Sequence, residues 1–268
     1  MTDCDAELAD AGATYVFAVC RDPGLPAVDG LSGVAAHGAP VRTLSLGSLT
    51  GIVQTVRARD FTDEAWQARL ADPPELERYA RAHHDVVSAV AARCPTVPLP
   101  MATVYHGDDR ARDALSRELA RFSTALERTA HHAEWGVKVY APPAVGRDAC
   151  QAARPVRSAE RTRPAPGAGL AYLERKRGAQ KLRERDEEEA LRTAESVDEQ
   201  VRHLATASRR LRTQPATEGR TQILNATYLI AEDRSDELAV LTENLRQRTG
   251  APIELSGPWV PYSFVGEV

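Results

Sequence analysis

The chain has 268 residues, 43% hydrophobic and 27% charged, with a formal net charge of −4. That composition supplies a packed core and excludes disorder throughout, and the length allows one large domain or two modest ones. The slightly acidic balance and the 5% aromatic content exclude a base-stacking, phosphate-neutralising surface. No run of about 18 apolar residues is present to span a membrane.

The opening MTDCDAELAD is acidic and polar, unlike a secretory signal, so the expected compartment is the cytosol. Thr14–Cys20 (TYVFAVC) reads as a first strand from its β-branched and aromatic content. Apolar runs at Val34–His37, Val41–Leu46 and Gly51–Arg57, punctuated by Gly47-Ser48 and Thr50-Gly51, predict an antiparallel meander. A helix starts near Thr62-Asp63-Glu64 and ends at Asp72-Pro73-Pro74. A longer one runs from about Glu75 to Arg93, with Leu76, Tyr79, His83, Val86, Val87 and Val90 three or four apart. Two prolines make Val97–Tyr105 an edge or irregular strand. Asp108–His131 reads as one amphipathic helix with Leu115, Leu119, Phe122 and Leu126 on its stripe, and Glu134–Tyr140 alternates as a half-buried strand.

From Ala141 to Gly169 five prolines imply a linker or long loop. Leu170–Thr213 then reads as one charged helix, about 65 Å long at ~1.5 Å per residue, with a heptad-like seam at Val197, Val201, Leu204 and Leu211. Its first half is nearly all polar, so it is exposed or pairs through charge with another chain. Gln222–Ala231 is the clearest strand of this half, followed by a helix over Ser235–Arg248 and a short strand at Ile253–Leu255. The order predicts an α+β chain of two tandem α/β sandwich-like domains, 1–131 and 132–268, each a sheet with helices on one face. The second is expected to be ferredoxin-like, with the proline-rich segment at 141–169 and the long charged helix at about 170–213.

Catalytic motifs are missing: there is no phosphate-binding loop, no dinucleotide fingerprint and no nucleophile elbow. Cys4, Cys20, Cys94 and Cys150 form no C-x-x-C pair. The adjacent histidines His83-His84 and His131-His132 lack the i, i+4 spacing of a helical metal site. No cofactor or metal is expected. His84, or its neighbour His83, lies near an apolar stripe, where a histidine usually serves structure by bonding a buried carbonyl or carboxylate. Its enzymatic alternative is an unrecognised site formed with Asp85 and the His106-Gly107-Asp108 loop. The densest aromatic segment is Gly257-Pro258-Trp259-Val260-Pro261-Tyr262-Ser263-Phe264. Its rings either latch onto the chain's own body or present a surface to a partner, with Trp259, Pro261, Tyr262 and Phe264 as the candidate contacts.

Several segments resemble the GvpL/GvpF family of gas vesicle proteins. Tyr15-Val16-Phe17-Ala18-Val19 resembles the family's opening strand, and Ala80-Arg81-Ala82-His83-His84-Asp85-Val86-Val87 its A-x-x-H-[DE]-x-V helix. Pro98–Tyr105 (PLPMATVY) is similar to its P-[LM]-x-[FLM]-[GA]-T-V-[FY] segment and Glu134–Val139 (EWGVKV) to its E-W-x-V-K-V strand. Gly169–Lys176 (GLAYLERK) is similar to its G-x-x-Y-L-x-x-[KR] helix start. The ending Leu255–Val265 (LSGPWVPYSFV) resembles its [LV]-[ST]-G-P-W-P-P-Y-[SH]-F, with Val260 where proline is common, just as Pro100 stands where a basic residue is frequent. The pairing of E-W-x-V-K-V with G-P-W-x-P-Y-x-F is the specific part, and the matches span about 14–266. The resemblance implies two α/β domains and a non-enzymatic accessory protein, cytoplasmic and on the gas vesicle. Its implied partners are the hydrophobic shell protein and other accessory proteins. It establishes no shell-binding residue; Trp135 and Tyr172 sit in the matching motifs as structural candidates. A self-associating coiled-coil scaffold is the competing expectation.

Overall fold

A computed structural model of the chain describes residues 12–21, 28–35, 39–142, 168–215 and 220–266. It holds two compact units. One comprises the described residues up to Glu134, with Leu229–Glu232 and the segment from Gly257; the other comprises Trp135–Tyr228 and Asp233–Ser256.

The first unit is built on β1 (Gly12–Cys20), β2 (Arg42–Ser45), β3 (Thr50–Arg57), β4 (Thr96–Pro98) and β5 (Val104–Tyr105). Sheet order is β2-β3-β1-β4, with β5 also paired to β1, and β1 runs antiparallel to β3, β4 and β5. Between them lie α1 (Asp63–Leu70), α2 (Pro73–Ala91), α3 (Asp108–Ser116) and α4 (Leu119–Thr129). Proline at the first helical position and the Asp72 carboxylate, which accepts from Glu75 N–H, start α2 sharply.

Helices on one face were expected; this sheet is covered on both. Tyr15, Phe17, Ala18 and Cys20 pack with Tyr79, Val86, Val87 and Val90 of α2. Val16 and Val19 pack with Ala111 and Leu115 of α3 and Phe122, Ala125 and Leu126 of α4. The reason is in β1: Ala13–Cys20 is buried throughout, so the strand has no solvent face. A register shift between Val16 and Ala18 lets Phe17 and Ala18 fall on the same side.

The expected helix 108–131 is two helices. Glu118 leaves helical geometry (φ −105, ψ 10), and its N–H bonds back to Leu115 O, closing α3 with a tight turn. Ala111, Leu115, Leu119, Phe122 and Leu126 stay three or four apart across the break, so periodicity alone does not reveal it. Val34 and Ala35 form no strand. They are held by Gln54, fully buried on β3, whose Oε1 accepts from Val34 N–H and Ala35 N–H while its Nε2 donates to Ser32 O and Ala39 O. Gly33 is required beside it: its φ is +63, and a Cβ there would meet the Gln54 side chain at 2.4 Å.

The second sheet contains β6 (His132–Tyr140), β7 (Ala207–Arg210), β8 (Gln222–Ala231) and β9 (Ile253–Trp259), with α5 (Ala168–Arg202) and α6 (Ser235–Thr249) between strands. The chain order βαββαβ with sheet order β7-β8-β6-β9 is the split βαβ, ferredoxin-like arrangement. Its second strand was absent from the sequence reading, which ran the helix on to Thr213. The helix instead ends at Arg202, where Leu204 N–H bonds to Val201 O and Ala205 N–H to Arg202 O. Hence the heptad-like seam is not one. Val197 and Val201 are buried on α5, whereas Leu204 follows the helix end and Leu211 lies past β7, 40% exposed.

Tertiary contact decides that stop. The Asp198 carboxylate, 3% exposed, accepts from Arg210 Nη2 at 2.6 Å and from Tyr228 Oη at 2.6 Å, binding α5 to β7 and β8. The proline-rich 143–167 segment, Cys4 and Cys150 lie outside the described residues.

Two substitutions test these locks. Gln54→Ala strands four backbone groups and is expected to cost about 2–4 kcal/mol by urea denaturation. Asp198→Ala leaves the buried Tyr228 hydroxyl without its acceptor, while the exposed Arg210 turns to solvent, and is expected to cost about 1–3 kcal/mol. A loss within about 0.5 kcal/mol in either case, as for an ordinary surface position, contradicts the assigned lock.

Candidate functional site

Half of the chain's aromatic residues gather in the first unit, in one continuous series. The Arg69 guanidinium lies over Tyr79 at 4.7 Å and Trp66 at 5.5 Å. Tyr79 meets Tyr15 edge-on, ring centroids 6.1 Å apart, and Tyr15 meets Phe17 at 4.7 Å. Tyr15 Oη and His83 Nδ1 share a buried hydrogen bond of 2.7 Å, and Ala102 N–H donates to the same phenol oxygen at 3.3 Å. Burial pushes the Tyr15 and Tyr79 phenols up, keeping both neutral. Burial also pushes the His83 imidazole down to about 4, against the Leu99 backbone, which favours the charged form, and with the neighbouring His84, which disfavours it.

The C-terminal segment completes this series. Tyr262 packs on His83 and His84, with centroids at 6.5 and 6.2 Å, and Trp259 meets His84 edge-on at 5.6 Å. Ser263 donates to the buried Glu134 carboxylate from its N–H at 2.8 Å and its Oγ at 2.5 Å. Arg128 Nη2 donates to the Phe264 carbonyl. Val260 joins the α2-side core and Val265 the α3–α4-side core, so the segment reaches both hydrophobic layers of the unit.

This placement sorts the sequence candidates. Phe264 is 5% exposed and Pro261 is buried, which removes both as surface contacts; they anchor the segment. Tyr262, 36% exposed, shows part of its ring, and Trp259 is 48% exposed. Burial pushes the Tyr262 phenol up as well. Trp259 borders a cleft of about 540 Å³ lined also by His84, Cys94, His132, Glu232 and Pro258. The histidine enclosed in the core is His83. His84 stands on the cleft rim, where its Nε2 and Ser88 Oγ are 3.1 Å apart. Trp135 is half-buried on β6; Tyr172 is on α5, its side chain outside the described residues.

The enzymatic alternative is not assembled. His106 is exposed and lines another cleft with Tyr105, Arg110, Asp113 and Arg117. Asp108 accepts from Arg42 Nη2 and Thr14 Oγ1, each at 2.7 Å. The Arg42 hydrogen bond holds its carboxyl below the usual carboxylate range. Among the described residues no three His, Cys, Asp or Glu side chains converge as a metal site requires. The sequence reading missed Glu134 and Arg128 as anchors of the segment. The spacing between them and their partners exceeds 120 residues, so no local pattern announces them.

The assembled motifs match a known class. A family model described as gas vesicle synthesis protein GvpL/GvpF covers residues 13–266. Gas vesicle protein L of a Streptomyces species is 35% identical over 258 residues, 94% of this chain and 92% of that protein. Gas vesicle protein L2 of Halobacterium salinarum is 25% identical, over 98% and 94% of the two chains. The fold is similar to the crystal structure of the gas vesicle protein GvpF from Anabaena sp. PCC7120, with a TM-score of 0.65 at 14% identity over 96% of this chain and 98% of that one. It is also similar to GvpF from Microcystis aeruginosa, with a TM-score of 0.61 at 17% identity over 95% and 99%. The chain belongs to the GvpL/GvpF family of gas vesicle proteins, and its role is an accessory one in the gas vesicle.

His83 makes the first unit sensitive to acid. Its folded-state value of about 4 lies below the 6.5 of a free imidazole, so the unfolded chain binds the extra proton between them. Its contribution is full above pH 6.5 and is lost as pH falls toward about 4, some ~3 kcal/mol in all. In urea denaturation between pH 7 and 4.5, His83→Gln is expected to flatten this slope. Parallel loss of stability in both proteins contradicts the assignment.

Proposed function

We propose that the chain is an assembly factor of the gas vesicle, in the cytoplasm and on the vesicle, that binds the hydrophobic shell protein and other accessory proteins and limits shell-protein aggregation. The observation that carries the reading is family membership over residues 13–266, almost the whole chain. The physical requirement agrees with it: handling an aggregation-prone apolar subunit needs a fixed apolar contact on a well-charged body. Trp259 meets that requirement. Its backbone is held by a segment anchored through Glu134, Arg128, Val260 and Val265, so little side-chain or loop freedom is lost on binding. A half-exposed indole beside a cleft is also the side-chain type that dominates protein interfaces. The reading is one of binding, not of catalysis.

The test is capture of the co-expressed shell protein by the full chain and by Trp259→Ala. Removal of residues 257–268 is the wrong variant, because it uncovers both core layers of the first unit. The intact chain is expected to retain the shell protein, and Trp259→Ala to lose it with an unchanged circular dichroism spectrum. Undiminished capture by Trp259→Ala removes Trp259 as the contact; no capture by the intact chain removes direct shell binding.

A further inference from the structure

The second unit holds a cleft of its own, lying between α5 and the adjoining ends of β6 and β8. Its volume is about 560 Å³, comparable with the cleft beside Trp259. The buried positions of α5, Ala194, Val197, Asp198 and Val201, all fall in its last turns. The turn just before them forms one wall of the cleft, and the strand ends form the other.

Three kinds of group line it. Ala190 and Leu191 share it with Ala141 and Ile223, and Leu191 is 62% exposed, a large apolar side chain left mostly in water. Asp186 and Glu187 stand on the same helical wall, and among the described residues no basic side chain lines the cleft. Asp186 keeps an interaction of its own and Glu188 is bound to Arg192, so the carboxylate open to an occupant is that of Glu187. The third group is Gln222, 7% exposed. Its Oε1 accepts from Gln214 N–H at 2.6 Å, but its Nε2 is buried and has no acceptor among the described residues. The neighbouring Tyr140 phenol donates to Glu254 Oε2 at 3.0 Å and does not satisfy it. A buried donor without an acceptor is unfavourable, and an occupant that supplies a carbonyl relieves it.

We propose that this cleft is a docking site for a short peptide segment of a partner protein, one that joins a basic side chain to apolar ones. A backbone carbonyl of the segment accepts from Gln222 Nε2, its apolar side chains cover Leu191 and Ile223, and its lysine or arginine meets Glu187. An acidic segment brings like charge against Glu187, and a wholly polar one leaves Leu191 uncovered. The site is separate from Trp259 and does not depend on shell binding.

NMR of the isotope-labelled full chain, titrated with the peptide acetyl-Lys-Leu-Ile-Lys-amide, tests it. The expected result is a saturable shift of the Gln222 side-chain amide and of the Ile223 backbone amide. Leu191→Asp is expected to weaken binding about tenfold and Glu187→Lys about fivefold. Both positions are exposed, so amide shifts elsewhere are expected to stay unchanged. Peptides with serine for the apolar residues, or glutamate for lysine, are expected to leave Gln222 unmoved. An unmoved Gln222 with the first peptide at about 10 mM overturns the proposal. Equal binding of the serine or glutamate peptide, or undiminished binding by both variants, overturns it too. Gln222 signals that move with the concentration of the chain alone assign the cleft to a second copy instead.

Discussion

The first unit depends on closing a polar pair inside an aromatic core. Tyr15 and His83 bring a phenol and an imidazole into the buried interior, and both need partners there. Their shared hydrogen bond, with the Ala102 amide on the phenol oxygen, meets most of that need. The rings around them exclude solvent, and the last of those rings, Tyr262, comes from the far end of the chain. The C-terminal segment is therefore part of the core, although the preceding residues up to Ser256 belong to the other unit.

That arrangement gives the family-like motifs a physical meaning. The tyrosine of the opening strand, the histidines of A-x-x-H, the alanine of P-L-P-M-A-T-V-Y, the glutamate of E-W-x-V-K-V and the rings of G-P-W-x-P-Y-x-F meet in one place. Most of them serve to dock the segment. What is left facing solvent is chiefly Trp259 and the cleft beside it. Binding by a rigidly held indole follows from the anchoring and not from the motif alone.

Much of the fold was legible because the hydrophobic pattern has the period of the element it forms. Gln222–Ala231 is the strand the sequence predicts, and α2 and α6 lie within about two residues of their expected ends. The failures have particular causes. The helix break at Arg117-Glu118 hides because the apolar spacing runs through it. Strand β7 hides because Ala207–Arg210 carries no breaker ahead of it and is held by Asp198 and by pairing to β8, which local propensity does not record. The anchoring roles of Glu134 and Arg128 depend on partners more than 120 positions away. Phe264 reads as an exposed contact by its company in the sequence, yet it is the plug of the segment.

The central claim is that the C-terminal segment forms part of the first unit's core. Amide hydrogen exchange in a chain ended after Ser256 tests it most directly. The account predicts that β1 and α2 lose protection while the amides of α6, in the second unit, keep theirs. Unchanged protection in β1 and α2 would show that the segment only rests on a core already complete without it.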